Sequence, residues 1–191
     1  MGSDYVPKTV TPLTGMLLQD DRIRLRAMEP EDCEAMCRWE NDTSLWTLGD
    51  TTRPFSRAAL AEFVAQAAED IYQARQVRLM IEPLAGEACQ AIGCVDLFAF
   101  DPLNRRAGVG ILIYEPEWRG RGYATAALRL LAEYAFRRLD MRQLWADIPL
   151  SNAASLRLFA RAGFTGQALR RRWVRRLDGT YEDALFLQLF A

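Results

Sequence analysis

The chain contains no histidine. That removes Ser-His-Asp and Cys-His catalysis, and every His-ligated metal site, from consideration. Lysine is nearly absent too: of 24 basic residues only Lys8 is Lys, and the rest are Arg. Long apolar runs are missing, since stretches such as Ala184-Leu185-Phe186-Leu187 fall far short of the ~20 residues that span a membrane. No N-terminal stretch has the basic, apolar and small-residue order of a secretory signal, so a cytoplasmic location is expected. The four cysteines (Cys33, Cys37, Cys89 and Cys94) lack the two-residue spacer of zinc sites, and no metal is expected. They read as small apolar side chains in a reducing compartment.

What is present is an ordinary globular mixture. Half of the 191 residues are hydrophobic and 26% are charged, which suits one folded domain and excludes disorder. The formal net charge is only −1, yet residues 1–102 carry net −8 and residues 103–191 net +7. A basic half suits a phosphate-bearing ligand and an acidic half a cationic one, unless the halves interleave in space.

Residues 1–15 hold Pro7, Pro12 and Gly15 without clear periodicity and read as an extension before a domain spanning 16–191. Arg22 to Arg26 alternates like a half-buried strand, and Pro30 suits the first position of a helix running to about Glu40. Ser56 reads as the N-cap of a second helix over 57–74, its apolar face carrying Leu60, Phe63, Val64, Ala67, Ala68 and Ile71. Strands follow at 77–82, 91–100 and 107–114, then a helix at 121–138, a strand at 144–148 and a helix at 152–162 closed by Gly163. Two strands flanking Asp178-Gly179 complete a hairpin. This order predicts a single α/β (α+β) domain: a mixed, mostly antiparallel sheet flanked by about four helices.

The informative stretch is Gly110 to Thr125, where a Leu/Ile strand meets an Arg- and Gly-rich turn and a helix begins. Backbone N–H groups at such a junction lack helical partners, and the helix dipole favours an anion there. Gly120 and Gly122 let the backbone approach a ligand, and Arg119 and Arg121 supply charge-assisted contacts. The Walker A and Gly-x-Gly-x-x-Gly patterns do not match.

Arg119-x-x-Gly122-x-Ala124 resembles the acetyl-CoA pyrophosphate loop of the GCN5-related N-acetyltransferases. Asn152-x-x-Ser155, then Phe159-x-x-x-Gly163-Phe164 and the closing hairpin, extend the resemblance from about Ile23 to Phe190. The resemblance implies that Ile111, Leu112 and Ile113 bind the pantetheine arm through their backbone and offer an N–H to the thioester oxygen. It implies that Arg119, Gly120, Arg121, Gly122, Tyr123, Ala124 and Thr125 hold the pyrophosphate. Asn152 would reach the pantetheine, although a helix N-cap explains it as well. Ser155 would lie near the sulfur or be a solvated hydroxyl. Many relatives place a tyrosine acid where this chain has Phe159, which has no proton to give. Relatives are often dimers or larger, and the terminal strands suit pairing between copies.

Two subgroups look most similar, the spermidine/diamine and the ribosomal-protein N-terminal acetyltransferases. The segment from Cys94 to Asp101, followed by Asn104-Arg105-Arg106-Ala107, looks more like the spermidine group. An alkylammonium has a reference pKa near ~10.4, so its deprotonation at neutral pH costs about 4 kcal/mol, whereas an α-amine near ~8 costs little. A polyamine acceptor therefore calls for carboxylates that attract the cation and take its proton. Asp96 and Glu40 are the candidates, with Glu31, Asp32, Glu34 and Asp42 as an acidic rim and Trp39, Trp46, Phe98 and Phe100 as walls. An outward strand position explains Asp96 without function, and first-turn helix acids explain Glu31 and Asp32. The run from Arg170 to Arg176 alternates around Trp173 as a solvated strand face, and the pI of 5.6 argues against nucleic acid as a partner. The expected activity is acetyl transfer to a small-molecule amine such as spermidine. A protein N-terminus, or CoA binding without catalysis, are the alternatives.

Overall fold

The computed structural model describes residues 17–46, 51–67, 69–84, 90–176 and 178–191. Within them the order is β1 (Ile23–Arg26), α1 (Cys33–Glu40), α2 (Arg57–Gln66), α3 (Ile71–Ala74), β2 (Val77–Pro83), β3 (Gly93–Asp101), β4 (Arg106–Ile113), α4 (Tyr123–Arg137), β5 (Gln143–Pro149), α5 (Ala153–Arg161), β6 (Thr165–Arg175) and β7 (Tyr181–Phe190). Short 3-10 turns at Pro30–Asp32 and Pro116–Trp118 lead into α1 and towards α4.

Side-chain alternation along the strands decides which helix covers which face. Leu79 and Ile81 join Val95, Leu97, Val109 and Ile113 in the larger core, where α4 lays down Ala127, Leu128, Leu131 and Ala135. Met80 and Cys94 point to the opposite face, into a smaller core with Met36, Trp39, Leu60 and Val64 of α1 and α2. Asp96 has the parity of Cys94, so it lies on the α1/α2 face.

The strands form one sheet in the order β1-β2-β3-β4-β5-β7-β6. Every neighbouring pair is antiparallel except β4 and β5, which run parallel. That one parallel pairing is short: Arg106↔Gln143, Ala107↔Leu144 and Gly108↔Trp145. Beyond it β5 stays with β7 along its full length while β4 stays with β3, so the sheet opens between β4 and β5. The β4 edge from Val109 to Ile113 thus has no strand neighbour on its β5 side.

The expected α/β fold and mixed, mostly antiparallel sheet are observed. The helix expected over 57–74 is two helices. Ala67 ends α2, and the Asp70 carboxylate accepts from the Tyr72 N–H as the N-cap of α3, so the helical spacing spans a break. Position 68 lies outside the described residues, as do residues 1–16 and Cys89. The other caps follow the sequence. Ser56 Oγ accepts from Ala59 N–H, and Gly163 at φ +98 follows α5. No helix among the described residues is long and apolar enough to cross a membrane.

One ion network fastens α1 to the sheet edge. Arg26 donates to both oxygens of buried Asp32 at 2.7 and 2.9 Å, and its Nε meets buried Glu82 at 2.5 Å. Arg24 meets the other Glu82 oxygen at 2.5 Å. Burial works to raise the Asp32 pKa, but the Arg26 guanidinium and the Glu29 N–H outweigh it and hold the carboxyl below its ordinary value. Asp32 is therefore a buried anchor and not part of an acidic rim. Glu34 is taken by Arg57 at 2.5 Å, so the expected rim is reduced to Glu31 and Asp42, the latter exposed and accepting from the backbone and hydroxyl of Ser44.

Arg26→Met leaves two buried carboxylates short of their partner and is expected to destabilise the fold by about 3 kcal/mol in urea unfolding at pH 7. Because the folded pKa of Asp32 is depressed, its contribution is complete above the unfolded value near ~3.9 and is lost as pH falls through the lower folded value. The gap between wild type and variant should therefore shrink in strong acid. An unchanged gap would show that the network contributes no charge term.

Candidate active site

The open edge of β4 lies between two differently built regions. At its C-terminal end the chain turns through residues 114–122 into α4. Gly122 is the N-cap at φ +87, a left-handed conformation that favours glycine. Among the described residues no acceptor meets the amides of Gly122, Tyr123, Ala124 and Thr125. These N–H groups and the helix dipole make a ready anion cradle.

The arginines around this cradle differ in role. Arg119 is exposed but folded back onto its own turn: its guanidinium donates to the carbonyls of Ile113 at 2.9 Å and Tyr114 at 2.8 Å, and its own N–H donates to the Pro116 carbonyl. It braces the turn, whereas the sequence assigned it a phosphate contact. Arg121 extends over the Trp118 ring at 5.7 Å and is exposed. A third arginine, unassigned by the sequence, arrives from before β1. Arg22 Nη2 donates to the Arg121 carbonyl at 2.6 Å, and the guanidinium stacks over Tyr123 at 4.7 Å. A Cβ on Gly122 would come within 2.9 Å of Arg22 Nη1.

Asn152 is the N-cap of α5, its side-chain oxygen accepting from the Ser155 N–H at 3.0 Å. Its side-chain amide nitrogen has no partner among the described residues, so capping leaves a donor for a ligand. Ser155 is half-buried in the first turn of α5. Phe159, one turn on, is 4% exposed and packs edge-on against Phe164 at 4.9 Å, so that position is core.

The α1/α2 face of β3 and β4 carries the acidic cluster. Asp96 and Glu40 come together through Arg78, which the sequence reading did not single out. Arg78 Nε and Nη2 donate to the two oxygens of Asp96 at 2.8 and 3.2 Å, and Nη1 donates to Glu40 at 2.7 Å. Burial opposes the Arg78 charge, but Cys94, Asp96 and Glu40 outweigh it and hold the pKa well above its ordinary value. The Tyr114 hydroxyl donates to Glu40 at 3.4 Å, and its ring stacks on Trp39 at 4.5 Å. Burial, then Cys94 and Glu40, push the Tyr114 phenol upward, and burial pushes the Cys94 thiol up to about 12. Both therefore stay protonated near neutral pH.

Asp96 also faces β4. The nearest atom to a Cβ on Gly110 would be Asp96 Oδ2, at 3.7 Å, so the absent side chain leaves room between the carboxylate and the strand. A cavity of about 380 Å³ opens beside Asp96, lined by Phe63, Glu69, Arg78, Asp96 and Phe98 among others. Of the expected aromatic walls only Phe98 lines it. Phe100 and Trp39 are buried, and Trp46 is half-buried with its N–H on the Glu40 carbonyl. Among the described residues no group of three or more potential ligand side chains is placed to hold a metal ion.

A family model described as an acetyltransferase (GNAT) domain matches residues 22–165. The chain belongs to this family and is an acetyl-CoA-dependent N-acetyltransferase. It is 25% identical over 170 residues to the spermidine N(1)-acetyltransferase of Escherichia coli, covering 88% of this chain and 86% of that one. It is 26% identical over 181 residues to YdaF of Bacillus subtilis, provisionally named a ribosomal N-acetyltransferase, covering 87% of each chain. The spermidine N-acetyltransferase of Vibrio cholerae, solved with CoA and spermine, has the same fold, with a TM-score of 0.76 and 21% identity over 90% of this chain and 96% of that one.

Gly122→Asp puts a strained side chain against Arg22 and a negative charge at the cradle. Acetyl-CoA affinity, measured by calorimetric titration, should fall at least tenfold. Unchanged affinity would place the pyrophosphate elsewhere.

Proposed function

We propose that the protein acetylates a primary amine of a small polyamine such as spermidine. One observation carries this reading: two carboxylates from distant segments, Asp96 and Glu40, converge on Arg78, and Asp96 also faces Gly110 of β4 and lines an open cavity. The relatives named as spermidine acetyltransferases support it.

In this reading the β4 stretch Ile111–Leu112–Ile113 takes the pantetheine as an added strand through the amides of Ile111 and Ile113, which face away from β3, and one of these two donates to the thioester oxygen. The amides from Gly120 to Thr125, with Arg121 and Arg22 alongside, take the pyrophosphate, while Arg119 holds the turn in shape. Asn152 offers its free amide N–H to the pantetheine. Asp96 and Glu40, with one Arg78 between them, leave the acceptor side with one net negative charge, which draws in an ammonium. Asp96, which faces the Gly110 gap, takes a proton from the bound ammonium directly or through water, and the neutral amine then attacks the carbonyl carbon and releases its second proton to solvent. The C–S bond breaks, and Ser155 relays a proton to the leaving thiolate while its hydroxyl takes a replacement proton from solvent, since Phe159 lies in the core.

A second reading, acetylation of a protein N-terminus, draws on a cavity of about 430 Å³ lined by Trp145, Phe186, Gln143 and Gln188. It lies on the same sheet face and offers amide and aromatic groups to residues behind an α-amine. The similarity to YdaF is in keeping with it.

The deciding experiment is acetyl transfer to spermidine and to an Ala- or Ser-starting peptide between pH 7 and 9, read by product mass. Spermidine should be the substrate, with rate rising across that range as more of the amine is neutral. Peptide turnover without spermidine turnover would replace this reading with the second. Asp96→Asn should lower kcat/KM for spermidine by about 10²-fold, the usual size of a lost general base. Ser155→Ala should lower kcat with little change in KM, and an unaltered kcat would remove it from proton delivery.

A further inference from the structure

The pairing register fixes what stands next to Asp96. On the α1/α2 face, β3 sets Asp96 opposite Gly110 of β4 and, two residues along, Phe98 opposite Gly108. Gly108 is also paired with Trp145 of β5, in the last pairing before the sheet opens. Phe98, Gly108 and Trp145 thus form one row across three strands, and Asp96 with Gly110 is the next row on that face, beside the opening. The Phe98 ring fills its row. A Cβ on Gly108 would stand 2.5 Å from its edge, and the ring packs edge-on against Trp145 with centres 5.2 Å apart. It also reaches into the row of Asp96. A Cβ on Gly110 would have Asp96 Oδ2 at 3.7 Å and Phe98 Cε1 at 3.9 Å, so an amine brought to Asp96 over Gly110 has the ring beside it.

The same row parts two cavities. Phe98, 36% exposed, lines the one beside Asp96. Trp145 lines the cavity of about 430 Å³, together with Asp101, Arg106 and Gln143 of the row two residues further back along β4. The two rings touch where the cavities would otherwise join.

Resting on the polyamine reading, we propose that Phe98 is a specificity determinant whose ring screens the carbon bearing the reacting nitrogen. A methylene amine has one chain on that carbon, which runs into the cavity beside Asp96. Both primary amines of spermidine are of this kind. The α-amine of a peptide sits on a carbon with two such substituents, a side chain and a carbonyl, and the second one meets the Phe98 ring. Without the ring, Gly110 and Gly108 would make a floor bare of side chains from Asp96 to the Trp145 cavity, which would take that substituent. Chemistry alone favours the other nitrogen, because an α-amine with a pKa near ~8 is far more often neutral at pH 8 than an alkylamine near ~10.4. The selection therefore comes from a clash built against the wrong acceptor.

L-lysinamide carries both kinds of nitrogen in one acceptor, and fragment masses of the product tell which was acetylated. The product ratio does not depend on how much of the enzyme is folded. At pH 8 the wild type should acetylate Nε over Nα by about tenfold or more, the size of a steric mismatch in a pocket. Phe98→Ala should raise the Nα share about tenfold, whereas Phe98→Tyr, which keeps the ring, should hold the wild-type ratio. Phe98→Ala should likewise raise kcat/KM for an Ala-starting peptide relative to spermidine by about tenfold, which decides the matter if lysinamide is a poor acceptor. If Phe98→Ala does not fold, the wild-type ratio and Phe98→Leu, with a smaller shift in the same direction, decide it. In a wild type that acetylates spermidine, Nα product equal to or above Nε product overturns the inference alone. So do product and peptide ratios that Phe98→Ala leaves unmoved. A wild type that acetylates the peptide and not spermidine overturns the polyamine reading and the inference together.

Discussion

Everything at this site depends on how little of β4 is paired with β5. Three residue pairs hold the two halves of the sheet together, and beyond Gly108↔Trp145 the strands part. Each half satisfies its backbone elsewhere, β4 against β3 and β5 against β7, so the opening does not disrupt either ladder. What it leaves is a strand edge inside a folded domain, protected from aggregation by its short length and flanking elements, and open to an extended ligand. The turn that follows β4 then delivers the N-terminus of α4 to one end of that edge, and the parity of β3 delivers Asp96 to its side.

The glycines of β4 serve the same opening. A Cβ on Gly108 would stand 2.5 Å from the Phe98 ring, so glycine there lets Phe98 lie across the strand against Trp145, with ring centres 5.2 Å apart. At Gly110 no side chain separates Asp96 from the strand. Charge is arranged to match. The basic excess of the second half of the chain does not by itself build the anion cradle, because Arg22, from the acidic half, lies against it. The two halves interleave at the site.

Much of the fold was legible because it is local. Pro30, Ser56, Asn152 and Gly163 mark helix ends by their own conformational preferences, and the strands alternate as half-buried strands do. The Arg119–Ala124 turn was legible for the same reason: glycines and arginines at a strand-to-helix junction. What was not legible needed register or distance. Arg78 becomes the partner of Asp96 only because β2 and β3 pair with those two residues opposite each other, and Glu40 reaches it from 38 positions away. Phe100 was misplaced because a bulge between Phe98 and Asp101, with Ala99 at φ +46, reverses the alternation and turns it into the core. A similar shift between Arg170 and Val174 interrupts the expected alternation of the arginine run, and Arg170 folds onto Asp147 at 2.5 Å and over Phe186. The break before α3 had a signal, Asp70 ahead of Ile71, which the continuing helical spacing hid.

Hydrogen–deuterium exchange with and without acetyl-CoA tests the central claim most directly, because it reports on the β4 edge without regard to the acceptor. New protection is expected at the amides of residues 109–113 that face the gap and at residues 120–125, with the amides already paired to β3 unchanged. Protection that falls elsewhere, leaving both segments as they are in the free protein, would contradict it.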